Sequence, residues 1–322
     1  MGFAAPLAAF GVTFVLLRVL LAPGMRSRFL DHPNQRSLHR SPVPRTGGIA
    51  LVPGLAAGIL LSGSSHLALA LALGLMALSL IDDWRSLPAG VRLLGHLAAA
   101  FVFVRAATDG ASWFEAALLL LAIGWMTNLY NFMDGADGLA GGMAVFGFGA
   151  YSCAAWLSGQ EPFAFACLSV AAAAAAFLLF NFPPARIFLG DAGSIPLGFL
   201  AAAFGLAGWQ AGLWPIWFPP VVFAPFVVDA SVTLARRALR RERIWQAHRS
   251  HYYQRRVLLG WSHRRLVGLE YGLMLLTVLI ALAVREAAAS VQLAALAVLA
   301  LVYAAVGLSI DLRWRSRKEA QC

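Results

Sequence analysis

The residues best suited to chemistry are five aspartates in three short segments that lie far apart in the chain. Asp82 and Asp83 are adjacent, Asp134 and Asp137 share the stretch N-F-M-D-G-A-D-G, and Asp191 ends F-L-G-D. One Asp at a helix mouth is most often a cap. Five on one side of a membrane are costly unless they are paired or hold a cation, so they point to a cation site. The candidate ligands are all oxygens, which favours Mg²⁺, with Mn²⁺ as the alternative, over zinc. Magnesium usually takes one or two carboxylates and fills its shell with water and substrate phosphate, leaving the other carboxylates free for different roles. The D-x-x-D-G stretch lacks the alternating ligands and closing Glu of a calcium loop. Gly135, Gly138, Gly141, Gly142, Gly190 and Gly193 frame these segments and would let backbone amides approach phosphate. There is no P-loop motif.

A second group lies later in the chain. Segment 236–265 is a basic loop with ten Arg, His248, His251 and His263, opposed by Glu242 alone. Most of these arginines read as a solvated, lipid-touching face. The run H-R-S-H sets His248 and His251 on one helical face around Arg249, with no third ligand nearby to complete a zinc site. Donors to a diphosphate suit that pattern better.

The elements that position these groups must be membrane helices. Of 322 residues, 60% are hydrophobic and 12% charged, against about a quarter charged in a soluble domain. Stretches 46–81, 192–228 and 287–310 carry no Asp, Glu, Lys or Arg, and about 20 apolar residues suffice to cross a bilayer. Apolar runs broken by Gly, Pro and charge predict helices over 4–24, 47–63, 66–81, 92–107, 113–129, 139–158, 163–180, 194–210, 215–235, 266–285 and 290–310. The expected fold is an all-α polytopic membrane protein, a single integral membrane domain over 1–322 with ten or eleven transmembrane helices and cytoplasmic catalytic loops. Residues 3–21 read as a retained first span rather than a signal peptide. With the N-terminus outside, all Lys and Arg except Arg18, Arg105 and Arg285 fall inside or at an inner helix edge, as the positive-inside rule requires. The net charge of +10 then implies attraction to anionic lipid, with the bilayer as partner and no nucleic acid. Cys153, Cys167 and Cys322 form neither a disulfide framework nor a metal spacing.

At these loops the sequence resembles the polyprenyl-phosphate N-acetylhexosamine-1-phosphate transferase family (glycosyltransferase family 4). The matching pieces are DHPNQRSLHRSPVPRTGG at 31–48, DDWR at 82–85, NFMDGADGLAGG at 131–142, NFPPARIFLGDAGS at 181–194 and HRSHYYQR at 248–255. The resemblance implies transfer of a sugar-1-phosphate from a UDP-sugar to undecaprenyl phosphate, with release of UMP, at the cytoplasmic face of a bacterial inner membrane. It implies Asp191 as a Mg²⁺ ligand with Asp83 beside it, and Asp82 as the favoured base for the lipid phosphate. Asn131, Asp134 and Asp137 would line the nucleotide-sugar site, with Asn181 near the uridine and Phe188 stacked on uracil. His39 and Arg45 from the first loop, and His248, Arg249 and His251 from the late one, would close over the diphosphate. HRSHYYQ replaces the run of three histidines typical of the peptidoglycan translocase for phospho-MurNAc-pentapeptide. It is similar to the subgroup that starts O-antigen or related glycans, some of whose members prefer 6-deoxy-N-acetylhexosamines. His96 stands where that subgroup commonly has glutamine. Asp229 also matches the family, with helix packing as its alternative role. The oligomeric state is open, a homodimer included. A secondary transporter is disfavoured, because the acidic groups sit at helix ends and no internal repeat is visible. A CDP-alcohol phosphotransferase is disfavoured because no Arg follows Asp137-Gly138 closely.

Overall fold

The computed structural model describes residues 2–26, 30–31, 38, 42–243, 246 and 248–319. Helix α1 (Ala4–Leu20) and the single turn α2 (Pro23–Arg26) lead into a minimal antiparallel ladder, β1 (Leu30–Asp31) with β2 (Val43–Pro44). The helices α3 (Gly47–Ser62), α4 (His66–Arg85), α5 (Ala89–Ala107), α6 (Trp113–Phe132) and α7 (Leu139–Leu157) follow. Then come α8 (Glu161–Asn181), α9 (Asp191–Gln210), α10 (Phe218–Val222), α11 (Ala224–Leu239), α12 (Tyr252–Leu258), α13 (His263–Val284) and α14 (Ala289–Glu319).

Among the described residues, eight helices, α4 to α9 with α13 and α14, are long and apolar enough to cross a membrane. The apolar helices α1 and α3 are shorter. Such lengths arise because a 20-residue helix rises about 30 Å, the thickness of the hydrocarbon core. Sharp ends come from local signals. The Ser112 side chain caps α6 in a reciprocal box with Glu115, and Ser262 caps α13.

The helix expected over 215–235 needs correction. It is split into the five-residue α10 and the longer α11, which meet at Phe223, and each fragment carries a proline in its first turn. Pro219, Pro220 and Pro225 remove amide donors and crowd the preceding turn, so one continuous helix cannot form. Three boundaries also move toward the chemistry. Helix α4 runs through Arg85 and α6 through Phe132, so Asp82, Asp83 and Asn131 lie in last helical turns. Helix α9 begins at Asp191 itself.

Helix α9 is the most enclosed span and packs against α3, α4 and α6, while α7 lies on α8 and α1 on both α3 and α8. Small residues allow this closeness. A Cβ on Gly48 at the start of α3 would stand 2.2 Å from the backbone nitrogen of Gly193 in α9. Without a hydrophobic force between helices in lipid, such contacts rest on close van der Waals packing. Successive spans run antiparallel, so the starts of α3, α5, α7, α9 and α13 share one end of the bundle with the ends of α4, α6, α8, α11 and α14.

Candidate active site

The five aspartates meet at that shared end, in a cleft of about 870 Å³. The cleft is lined by Arg45, Asp82, Asp83, Asn131, Asp134, Asp137, Asn181, Phe188, Asp191, His248 and His251, with Arg92, Tyr253, Gln254 and His263 among its other walls. Residues from five separated segments thus surround one space, as their types and spacing suggested.

The floor is built by backbone pairing between 44–48 and 188–189. Phe188 N–H donates to Pro44 O, Gly47 N–H to Phe188 O and Gly48 N–H to Leu189 O, each at 2.8 Å. This staple lays Arg45 across the N-terminus of α9. Its Nη2 donates to Asp191 Oδ1 at 2.9 Å and to Asp83 Oδ1 at 3.3 Å. Gly190 makes the approach feasible with φ of +72°, since a Cβ there would also press on the Arg45 side chain. Burial opposes the guanidinium charge, but Asp191 and then Asp83 outweigh it and hold the Arg45 pKa above its ordinary value.

The paired aspartates differ. Asp82 Oδ1 accepts the Leu87 N–H at 2.7 Å and Oδ2 accepts from Arg92 Nη1 at 2.9 Å. Its side chain is 11% exposed, against 44% for Asp83, which pairs with Arg45. Asp82 therefore ties the end of α4 to the start of α5, and Asp83 faces the cleft.

Asp134 and Asp137 occupy the loop between α6 and α7. Burial first, then the neighbouring Asp191 carboxylate, pushes the Asp134 carboxyl up to about 8, against Arg45 and the Gly190 N–H. Asp137 moves the other way. Its Oδ1 lies 3.0 Å from His263 Nδ1 and its Oδ2 accepts the Ala185 N–H at 3.0 Å. Burial opposes the charge, but His263 and these N–H donors hold its pKa below the usual carboxylate range. Asn131 Oδ1 accepts from Ser194 Oγ at 2.7 Å. Asn181 is buried, with its Oδ1 accepting from Gly138 N–H and its Nδ2 donating to Ile187 O, both at 2.8 Å. It locks the Asp134 loop onto the Phe188 loop. Phe188 is half-buried and shared between the main cleft and a smaller cavity of about 350 Å³.

The late segment forms the opposite wall. Both oxygens of buried Asp229 are spent on it: Tyr252 N–H donates to Oδ1 and Tyr253 N–H to Oδ2, each at 2.9 Å, and His251 Nδ1 lies 3.3 Å from Oδ1. Asp229 thus anchors the N-terminus of α12, where free N–H groups need acceptors. The His248 and His251 rings stack with centroids 4.9 Å apart. Burial, then His251 and Arg237, lower the His248 pKa to about 4. Farther back, Arg256 pairs with buried Glu270 of α13, and Asp311 of α14 takes Arg236 and, at 2.9 Å, Arg255. Arg249 is exposed and stands outside the cleft wall. His39 lies outside the described residues. In the sequence Arg92 stands only as one basic residue at an inner helix edge, and His263 as one member of the basic loop. The partners they find, Asp82 in α4 and Asp137 in the α6–α7 loop, lie in other elements of the chain, so no local signal marked them.

The donor set fits a hard cation. Asp83 and Asp191 already converge on one positive atom, Arg45 Nη2. Among the described residues no group of three or more His, Cys, Asp and Glu is arranged to hold a metal. Two carboxylates with open positions left to water and phosphate suit Mg²⁺, and they do not suit a closed zinc site.

The description "Glycosyl transferase family 4" matches residues 65–208, the stretch holding all five aspartates. A probable undecaprenyl-phosphate N-acetylglucosaminyl 1-phosphate transferase of Bacillus subtilis is 30% identical over 81% of this chain and 77% of its own. The chain belongs to glycosyl transferase family 4. Other family members with similar sequences include a phospho-N-acetylmuramoyl-pentapeptide-transferase of Geobacillus kaustophilus, 30% identical over 71% of this chain and 79% of its own. A decaprenyl-phosphate N-acetylglucosaminephosphotransferase of Mycobacterium tuberculosis is 28% identical over 74% and 72%. Arg45, His248 and His251 lie outside the family match yet line the same cleft.

Proposed function

We propose that this family 4 protein transfers an N-acetylhexosamine-1-phosphate from a UDP-sugar to undecaprenyl phosphate, releasing UMP and starting a lipid-linked glycan. The observation that carries the reading is the convergence of Asp83, Asp134, Asp137 and Asp191 with Arg45, His248 and His251 in one cleft at one end of a membrane bundle. The three relatives described above, named for prenyl-phosphate sugar acceptors or for a muramoyl-pentapeptide, support the substrate class. The basic residues gathered at the cleft end support a cytoplasmic active site in a bacterial inner membrane.

Both reactants are anionic, so the site must first offset their repulsion. A Mg²⁺ ion held by Asp191 and Asp83 would neutralise phosphate charge in the transition state. Arg45, His248 and His251 donate to the diphosphate from both walls, and phosphoryl transfer asks mainly for such positioning and charge. Phe188, in the cleft wall, is the residue assigned to the uracil in this reading. Asn181 keeps the Phe188 loop and the Asp134 loop in register, and His263 with Ala185 N–H holds Asp137 toward the nucleotide. An oxygen of the lipid phosphate attacks the β-phosphorus; that P–O bond forms as the bond to the bridging oxygen breaks, and UMP departs. A phosphate monoester is largely ionised near pH 7, so little proton abstraction is required. Asp82, the base that the resemblance implies, has its two oxygens on Arg92 and the Leu87 N–H and would have to release one of them to take a proton.

The late motif favours initiation of O-antigen or a similar glycan, so 6-deoxy donors belong beside UDP-N-acetylglucosamine in any panel. Transfer of phospho-MurNAc-pentapeptide is the second reading, supported by the Geobacillus relative. Purified protein incubated with undecaprenyl phosphate, Mg²⁺ and a panel of UDP-N-acetylhexosamines should release UMP with at least one donor and stop in excess EDTA. Full turnover in EDTA would remove the metal from the scheme, and silence with every donor would remove the reaction.

A further inference from the structure

Arg45 holds the place that a cation would take. One nitrogen, Nη2, reaches both Asp191 Oδ1 at 2.9 Å and Asp83 Oδ1 at 3.3 Å, and Asp31 and Asp134 add to the field around it. A guanidinium on these oxygens and a divalent ion on the same oxygens exclude each other sterically and electrostatically. The geometry points to Arg45 as an exchangeable counter-cation: it neutralises Asp83 and Asp191 in the free enzyme and yields them when a divalent metal binds. The released guanidinium is then offered to the substrate diphosphate. This rests on the transferase reading above and adds to it an order of events, in which one side chain serves two anionic partners in turn.

Two features of the surroundings fit an exchanging residue rather than a fixed pair. Arg45 and Asp83 side chains are 38% and 44% exposed, so both have room to separate, whereas Arg256 and Glu270, farther back, are paired and buried. The backbone of residues 44–48 is fastened to 188–189 by three hydrogen bonds. Only the side chain therefore has to move, and its stem stays anchored above the cleft. An Arg fork is also suited to a diphosphate, which accepts parallel N–H donors.

The test is a Mn²⁺ titration read by electron paramagnetic resonance, with no substrate present, on wild type and on Arg45→Met, which keeps the aliphatic stem. If Arg45 competes with metal, the Met variant binds Mn²⁺ about tenfold tighter, the equivalent of one released ion pair. The same variant loses transfer activity, because its diphosphate donor is gone. A tighter metal with a slower reaction is a split that a merely structural role would not produce. Unchanged or weaker Mn²⁺ binding in the Met variant overturns the exchange. Should that variant fail to fold, Arg45→Lys serves. Its single ammonium makes a poorer bridge, and its Mn²⁺ affinity is expected above wild type; an affinity at or below wild type overturns the proposal. Absence of Mn²⁺ binding in every form would overturn the metal reading as well. Equal affinities alongside normal UMP release would overturn the exchange alone.

Discussion

In the proposed reaction the chemistry turns on Asp83 and Asp191, the carboxylates that share the Arg45 guanidinium in the cleft. Replacing Asp191 by Asn keeps the shape and one acceptor while removing the charge. Transfer should fall about a thousandfold, as expected when several kcal/mol of metal-assisted stabilisation are lost. The unfolding midpoint should move by no more than a few degrees, since a partly exposed ion pair contributes about 1 kcal/mol or less. Kinetics and thermal unfolding on one preparation check both parts, and near-normal turnover would show that the metal sits elsewhere. His248 gives a pH-dependent outcome. Unfolded, it takes up a proton near its ordinary value of 6.5; folded, it resists until about 4. Between those values the unfolded chain binds more protons, so this contribution to stability is complete above 6.5 and is lost as the pH falls through 4. Unfolding midpoints measured from pH 7.5 to 4 should therefore drop more steeply for wild type than for His248→Gln. Parallel curves would mean that the ring is free to charge in the folded protein.

Among the elements, the instructive pair is α11 and α12. Asp229 gives its two oxygens to the amides of Tyr252 and Tyr253, with Thr233 Oγ1 and His251 Nδ1 beside them. Asp229→Ala strands buried donors at the start of α12. It should cost about 3 kcal/mol and slow transfer by displacing His248 and His251, as measured by thermal unfolding and turnover in detergent. Stability unchanged within error would contradict the anchoring role. In the sequence Asp229 stands as a family-like acid in an apolar run, with helix packing as its alternative role. Its part in anchoring α12 was hidden because its partners at the start of that helix follow 22 and more residues later, across a chain reversal. The same limit explains Arg92 and His263. Hydropathy made ten of the eleven expected helices legible, since lipid demands long apolar runs. It missed the break at Phe223, where three prolines sit inside a stretch that is otherwise apolar enough to read as continuous. The membership of the cleft was legible in motif residues. Their division of labour was not, because Asp82 and Asp83 are adjacent in sequence yet face different partners.

For the whole molecule, alternating helix direction brings five distant segments to one end of the bundle, and the basic residues gather at that same end. In the proposed reaction a soluble nucleotide enters this end from water while a lipid phosphate arrives at the interface. Topology is open to direct measurement with single cysteines in a cysteine-free background and a membrane-impermeant maleimide. Arg241→Cys, just past α11, should react in inverted inner-membrane vesicles and Asp109→Cys, between α5 and α6, in right-side-out spheroplasts. The reverse pattern would put the cleft on the wrong side for cytoplasmic UDP-sugars. The most direct test of the central claim follows one atom. With UDP-N-acetylglucosamine, or whichever donor the panel selects, labelled at the β-phosphorus, the label should pass into the undecaprenyl lipid while the released UMP stays unlabelled. Label left in a water-soluble nucleotide or in free phosphate, with sugar alone reaching the lipid, would contradict transfer of a sugar phosphate.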